Sequence, residues 1–282
     1  MLNQIKTVLL LGILTGILLF IGSFFGPAGL TVAVIFVVIM NSITYFFSDK
    51  IALMFYRAKE IKKSQYPWLH AMVKEIAKEA KIPEPKGIYL IPTPQANAFA
   101  SGRSQSHYVV AVTEGILKLL THEELKGVLA HEVSHAKNQD ILIATLAATI
   151  AGIISYLAHM AQFAAIFGGM GRDRESSGNI IGLLVLAILT PIIALIIQMA
   201  ISRSREYLAD ETGAKLVKDG KPLARALEKI HNSVKQHPLN FGSEAASSLF
   251  IEMPFRGNAL INLFSSHPDV NSRIQKLTSM KF

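Results

Sequence analysis

His131-Glu132-Val133-Ser134-His135 sets two histidines four residues apart with a glutamate between them. On an α-helix that spacing puts both imidazoles on one face, where both can reach one metal ion at about 2.0–2.1 Å. The glutamate projects beside the metal, within reach of a water held there, and can take that water's proton as general base. Cysteine is absent. Thiolate zinc fingers, iron–sulfur clusters, disulfides and cysteine nucleophiles are thereby excluded, and any metal must be held by His, Asp or Glu. A bare H-E-x-x-H also occurs on surface helices with two solvated histidines, so its context has to decide.

A hydrolytic metal needs a third protein ligand and an open position for water. Candidates stand in Ser202-Arg203-Ser204-Arg205-Glu206-Tyr207-Leu208-Ala209-Asp210. Asp210, one turn beyond Glu206, can accept the second ring N–H of a ligating histidine. The competing reading is a charged cluster in which these acids pair with Arg203 and Arg205. Spacing favours the ligand. His135 precedes the apolar block at Ile141 by six residues, about 9 Å of helix, and Glu206 follows the block ending at Ile201 by five, about 7.5 Å. If both helices continue unbroken and side by side, the two ligand sets emerge at similar depth.

The motif lies in a segment suited to be a helix: Thr121 is a favoured N-cap, and Glu124 three residues on completes a capping box. Upstream, Pro67 opens an amphipathic helix to about Ala80, with Trp68, Leu69, Met72, Val73 and Ile76 on one face. Gly87–Ile91 and His107–Val112 read as short strands, and Asn97–Ala100 as an edge strand between proline-rich turns. Residues 202–282 read as two or three helices, interrupted near 237–257.

Composition sets the surroundings. The 282 residues are 51% hydrophobic and 17% charged, against about 25% charged in an average soluble protein. Mean hydropathy is +0.38. That much apolar surface does not fit in one aqueous core of this size, which argues against an ordinary soluble enzyme and excludes disorder. The excess lies in four blocks, Val8–Phe25, Leu30–Phe47, Ile141–Phe167 and Ile180–Ile201. A helix needs about 20 apolar residues to cross a bilayer, and all four come close to or exceed that length. The first pair reads as an uncleaved helical hairpin, because the second apolar block follows at once and no A-x-A-like site intervenes. The second pair has a competing reading as buried helices of the catalytic domain.

Lys and Arg number 28 against 20 Asp and Glu, a net charge of +8. With four spans, 26 of the 28 basic residues fall on one side, which the positive-inside rule makes the cytoplasm. The basicity is then an orientation signal, reinforced by anionic lipid, and a nucleic-acid partner loses its support. The chain thus divides into a transmembrane hairpin (1–47), a cytoplasmic catalytic part with the H-E-x-x-H helix (48–140), a second transmembrane pair (141–201) and a cytoplasmic part bearing the third ligand (202–282).

H-E-x-x-H followed by E-x-x-A-D, with apolar helices ahead of the motif and between its halves, resembles the M48 family of membrane zinc peptidases. The resemblance covers essentially the whole chain, including Asn97-Ala98-Phe99 and the stretch from Ser266-His267-Pro268 to Arg273-Ile274. Lys137, where many zinc peptidases carry an apolar residue, departs from the pattern. The resemblance implies a mainly α fold with a small β-sheet (α+β): multi-pass membrane helices and a cytoplasmic, gluzincin-like zinc metalloprotease domain. It implies one Zn²⁺ per chain on His131, His135 and Glu206, with Glu132 as general base and Asp210 behind the ligands, toward His131. Asn97, Ala98 and Phe99 would lie on a strand lining the cleft, where an extended substrate adds its backbone hydrogen bonds. His267 and Arg273 would stabilise the oxyanion of the tetrahedral intermediate. Read from the residues alone, Asn97 is a turn residue and His267-Pro268 a helix start.

The implied activity is endoproteolysis of misfolded membrane proteins or unfolded polypeptides at the cytoplasmic face of the bacterial inner membrane. Four spans favour this quality-control branch over the processing of prenylated peptides, whose enzymes carry seven helices. A transporter or channel would require ionisable residues within the spans, where His159 is the single candidate. A catalytically silent metal-binding scaffold would have no need of Glu132.

Overall fold

The computed structural model describes residues 56–140, 177–236 and 268–282, with isolated positions between 13 and 54 and between 143 and 154. Two compact units divide the chain: Met1–Ile43 with Ala144–Ile201, and Thr44–Ile143 with Ser202–Phe282. The described elements are β1 (Lys59–Glu60), α1 (Pro67–Ala80), β2 (Ile88–Ile91), β3 (Ala98–Ser104), β4 (His107–Thr113), α2 (Glu114–Leu119), α3 (His122–Lys137), α4 (Ser177–Val217), α5 (Lys221–Gln236) and α6 (Val270–Ser279).

The first three apolar blocks fall for the most part outside the described residues. Where side chains of the first unit are described, large aliphatic residues face outward: Ile35 and Ile39, four residues apart, and Leu189, Ile192, Ile193 and Ile196 of α4. Ala194, Ile197 and Ile201 of the same helix are buried. Among the described residues no helix is long and apolar enough to cross a membrane, so the multi-pass architecture stays an expectation of the sequence.

The second unit is α+β with one four-stranded sheet, in the order β1-β2-β4-β3. Val109-Val110-Ala111-Val112 is buried throughout, as a central strand covered on both faces should be. β2 pairs with β4 in parallel, and β3 pairs with β4 antiparallel on its other side, at the edge. β3 runs past the expected Ala100 to Ser104, because the chain reverses at Gln105-Ser106 straight into β4. The bulge in this hairpin needs Gly102, whose φ of +152° and close approach to the backbone of His107 and Tyr108 leave no room for a side chain.

Side chains alternate across the sheet. Ile88, Ala98, Val110 and Val112 join the main core, against Leu69, Val73 and Ile76 of α1 and Leu125, Val128, Leu129 and Val133 of α3. Ile91, Phe99 and Ala111 form a smaller cluster on the opposite face, with the Tyr56 ring 5.5 Å from that of Phe99. α5 and α6 close the main core through Leu223, Leu227, Ile230 and Leu277. α1 has the expected bounds and is ended by Lys81 in the left-handed conformation, φ 57°. The short α2 was not anticipated; Thr113 caps it, its hydroxyl accepting the Ile116 N–H at 3.1 Å.

α3 begins as the capping box expected: Thr121 Oγ1 accepts the Glu124 N–H at 3.3 Å and Glu124 Oε2 accepts the Thr121 N–H at 2.9 Å. Lys137 is its last, partly exposed residue, a position where a cation suits the negative end of the helix. The helix does not continue unbroken into the apolar block at Ile141, as the similar-depth argument assumed. Gln139, at φ 57°, turns the chain after Asn138. α4, by contrast, is continuous through Ile201 to Glu206 and beyond.

α4 lies against α3 at a glycine. A Cβ on Gly213 would stand 2.8 Å from the His131 N and 3.0 Å from the Ala130 carbonyl carbon, backbone atoms that cannot swing aside. Alanine is the better helix former by about 1 kcal/mol, yet Gly213→Ala should destabilise by about 1–3 kcal/mol through overpacking. Denaturant unfolding checks this; a variant as stable as the parent or more so would show that α4 has slack here.

Candidate metal centre

The i, i+4 spacing on α3 brings the His131 and His135 rings edge to face, with centroids 4.7 Å apart. Their Nε2 atoms are separated by 3.1 Å, and the Glu206 carboxylate from α4 lies 3.6 Å from the first and 3.4 Å from the second. Donors bound tetrahedrally at about 2.0–2.1 Å stand about 3.3–3.4 Å from one another. The three observed separations bracket that value, so a single ion of that size fits between them.

Each imidazole turns its other nitrogen to a buried carboxylate. His131 Nδ1 is 2.9 Å from Asp210 Oδ1, and His135 Nδ1 is 2.6 Å from Asp140 Oδ2. The Asp140 hydrogen bond holds the His135 ring proton on Nδ1 and leaves its Nε2 lone pair for a metal, whereas Asp210 meets His131 Nδ1 as a close ion-pair contact without hydrogen-bond alignment. Both carboxylates are gripped by arginines. Arg273, fully buried, donates Nε to Asp210 Oδ2 at 2.9 Å and Nη2 to Oδ1 at 2.7 Å. Arg205 donates Nε and Nη2 to Asp140 Oδ1, and Nη2 also reaches the Asn138 carbonyl at 2.6 Å.

The charges here are unbalanced without an ion. Among the described residues, Glu132, Asp140, Glu206 and Asp210 are buried with Arg205 and Arg273 as the buried cations beside them, which leaves two negative charges in that set when all four acids are ionised. A divalent cation would neutralise that excess; in its absence, imidazole protons do. Burial works against a charge on His131, but Asp210 and Glu206 outweigh it and lift the imidazole to about 10. His135 is raised in the same way: Asp140 and Glu206 overcome its desolvation. Asp210, despite its burial, is held down to about 2 by Arg273 and His131.

Glu132 lies beside the ligands, almost fully buried. Its Oε2 accepts the Ala100 N–H from β3 at 3.0 Å, so one carboxylate oxygen touches the free edge of the sheet. Burial pushes the Glu132 carboxyl up, more than the neighbouring histidines pull it down.

Of the expected site residues, His131, Glu132, His135, Glu206, Asp210 and Arg273 come together. Arg273 arrives as a buried partner of Asp210, with Nη1 3.4 Å from Glu206 Oε2, and not as a guanidinium facing a cleft. Asn97 directly precedes β3. Its N–H donates to Thr113 Oγ1 at 2.9 Å and its carbonyl accepts the Thr113 N–H at 3.0 Å. Ala98 and Phe99 open the edge strand, with Phe99 buried in the smaller core. His267 lies outside the described residues. Sequence reasoning missed Asp140 and the pairing of Arg205 with it. The available signal was an acid just ahead of an apolar block, five residues after His135.

The raised His131 has a consequence for stability. A folded value of about 10 against 6.5 means that, without metal, this group's stabilisation is complete below pH about 6.5 and fades as pH rises toward 10. Metal requires the neutral ring, so its binding displaces the proton and strengthens over the same range. Thermal melts from pH 6 to 10 should show the metal-stripped chain losing stability with rising pH while the gain on adding metal grows. Parallel curves for the two forms would contradict it.

Residues 63–281 match the model of peptidase family M48. Over 270 residues the chain is 52% identical to a protease HtpX homolog of Aquifex aeolicus (strain VF5), an alignment covering 94% of this chain and 89% of that protein. It is 46% identical over 282 residues to a protease HtpX homolog of Syntrophobacter fumaroxidans, covering 99% of each. Against a protease HtpX homolog of Thermococcus kodakarensis it is 48% identical over 276 residues, 97% of this chain and 94% of that one. The fold is similar to the crystal structure of S. mikatae Ste24p, with a TM-score of 0.60 at 19% identity; the match covers 98% of this chain and 65% of that protein. With a family match over most of its length and relatives near half identity end to end, the chain belongs to peptidase family M48 and is a metalloprotease.

Proposed function

We propose that the chain is a zinc-dependent endopeptidase of the bacterial cytoplasmic membrane, cleaving misfolded or damaged membrane proteins at the cytoplasmic face. One contact carries the reading: the hydrogen bond from Ala100 N–H to Glu132 Oε2. It puts the candidate base, which adjoins the metal-ligand cluster, at the edge strand where an extended peptide would add. Two imidazoles and one carboxylate, with room for a further ligand, are the donor set of a hydrolytic zinc. Zinc, when bound, supplies Lewis acidity toward a peptide carbonyl and toward water.

The rest belongs to the chain's own side chains. In an antiparallel pair, alternate residues turn their backbone groups away from the partner strand. By that alternation Ala98 offers N–H and C=O, and Ala100 its C=O, to a substrate laid along β3, the Ala100 N–H being held by Glu132. Glu132 takes the proton of the attacking water and passes it to the leaving amine. Its burial helps, since desolvation raises the carboxyl and makes it a stronger base than an exposed glutamate. Asp210 pairs with His131, and Arg273 fixes Asp210. The oxyanion role expected of His267 and Arg273 stays with both: Arg273 Nη1 lies 3.4 Å from Glu206 Oε2, and His267 lies outside the described residues.

Support for the membrane comes from the outward-facing Ile35, Ile39, Leu189, Ile192, Ile193 and Ile196. Fully burying a side chain of this size is worth about 1.5–3 kcal/mol, and lipid is a solvent in which such faces are stable.

Glu132→Gln should lower peptide-bond cleavage by at least about a hundredfold while bound metal stays stoichiometric. Undiminished proteolysis by that variant, purified free of other proteases, would remove Glu132 from the mechanism. For orientation, a reporter inserted within 168–179 should read as non-cytoplasmic; a cytoplasmic signal there would overturn the four-span arrangement.

A further inference from the structure

His135 is the more exposed of the two imidazoles, its side chain 17% accessible against 2% for His131. Asp210 and Arg273 stand behind His131, and a second polar device stands behind His135. Asp140 follows the left-handed Gln139 that breaks α3, and that break turns its carboxylate back toward the helix it has just left. Oδ2 meets His135 Nδ1 at 2.6 Å, while Oδ1 accepts Arg205. Arg205 also donates to the Asn138 carbonyl at 2.6 Å, one of the carbonyls that the end of α3 leaves without an intrahelical partner. Arg205 precedes Glu206, the candidate third ligand, by one residue on α4. A single guanidinium thus ties the α3 terminus to the helix that delivers the carboxylate ligand.

We propose that Asp140 and Arg205 are positioning residues of the metal centre, fixing the His135 ring with Nδ1 protonated and Nε2 bare. This rests on the reading that His131, His135 and Glu206 hold a divalent metal. The chemistry demands a carboxylate in particular. Both oxygens of Asp140 are in use, one by each partner, and both partners are donors. An asparagine offers one acceptor and one donor. If its NH₂ faces His135, the ring must accept at Nδ1 and carry its proton on Nε2, the atom a metal needs. If it faces Arg205 instead, two donors collide.

The test reads metal affinity and needs no substrate. Full-length protein is stripped, reloaded with Zn²⁺ and titrated against a chromophoric chelator, and the visible absorption of the Co²⁺-loaded form is recorded alongside. Asp140→Asn should weaken Zn²⁺ binding about 10- to 100-fold and alter the Co²⁺ spectrum. Arg205→Lys, which keeps the charge but cannot span Asp140 and the Asn138 carbonyl with one fork, should fall between the variant and the parent. It also serves if Asp140→Asn does not fold. A merely structural role would lower the melting temperature of the stripped protein while folded variants bind Zn²⁺ within about threefold of the parent, with an unchanged spectrum; that result overturns the proposal. Absence of Zn²⁺ binding by the parent would instead overturn the metal reading itself.

Discussion

To hold one metal ion, two imidazoles on one helical turn would both have to present a bare Nε2 to the same point in space, and much of the described unit fits that requirement. A free histidine divides its proton between two nitrogens and rotates about two bonds. Removing that freedom takes an acceptor at Nδ1, and a buried carboxylate acceptor needs a counter-charge of its own. The chain places such a pair behind each ring, with Asp210 backed by Arg273 and Asp140 backed by Arg205. Both relays are assembled from distant parts of the sequence: α3 supplies the rings, α4 one acid and one arginine, α6 the other arginine, and the break after α3 the other acid.

Such an arrangement is stable only if the helices carrying it cannot slide. α3 is buried along most of its length, packed against the sheet, α1 and α5, so burial of Leu125, Val128, Leu129 and Val133 sets its position and the polar groups exploit it. α4 meets α3 at Gly213, close enough that one methyl would collide with the His131 backbone. The same closeness brings Glu206 and Asp210 to their histidines. The excess negative charge left in the pocket then gives a divalent cation, or imidazole protons in its place, a structural role as well as a chemical one.

The site also borrows from the sheet. Because β4 is the buried centre, β3 is left at an edge, and its unpaired side passes Glu132. The hydrogen bond from Ala100 makes the candidate base the neighbour of a strand available for pairing. Edge strands are usually a liability that proteins cover; beside a candidate base, such an edge would offer a place for an extended chain.

Much of this was legible in the residues. The capping box at Thr121, the bounds of α1, the strands at 88–91 and 107–113 and the edge character of the 97–100 stretch follow from local rules, in which neighbouring residues decide backbone geometry. Likewise His131, Glu132 and His135 announce themselves, because i, i+4 spacing on a helix is itself a three-dimensional statement. What the residues could not show is which distant groups meet. Arg205 was assigned no particular acid, since the choice between Glu206, Asp210 and Asp140 depends on where α3 stops. Extrapolating the helix straight through Gln139 concealed the turn that delivers Asp140 to His135. Arg273, expected to stabilise an oxyanion, is buried against Asp210, because α6 packs on α5 and carries its guanidinium to α4. Sequence determined the candidate donor types and the helix that pairs the two histidines, because those depend on covalent spacing. Tertiary structure decided which charges hold them, because that depends on packing between segments far apart in the chain.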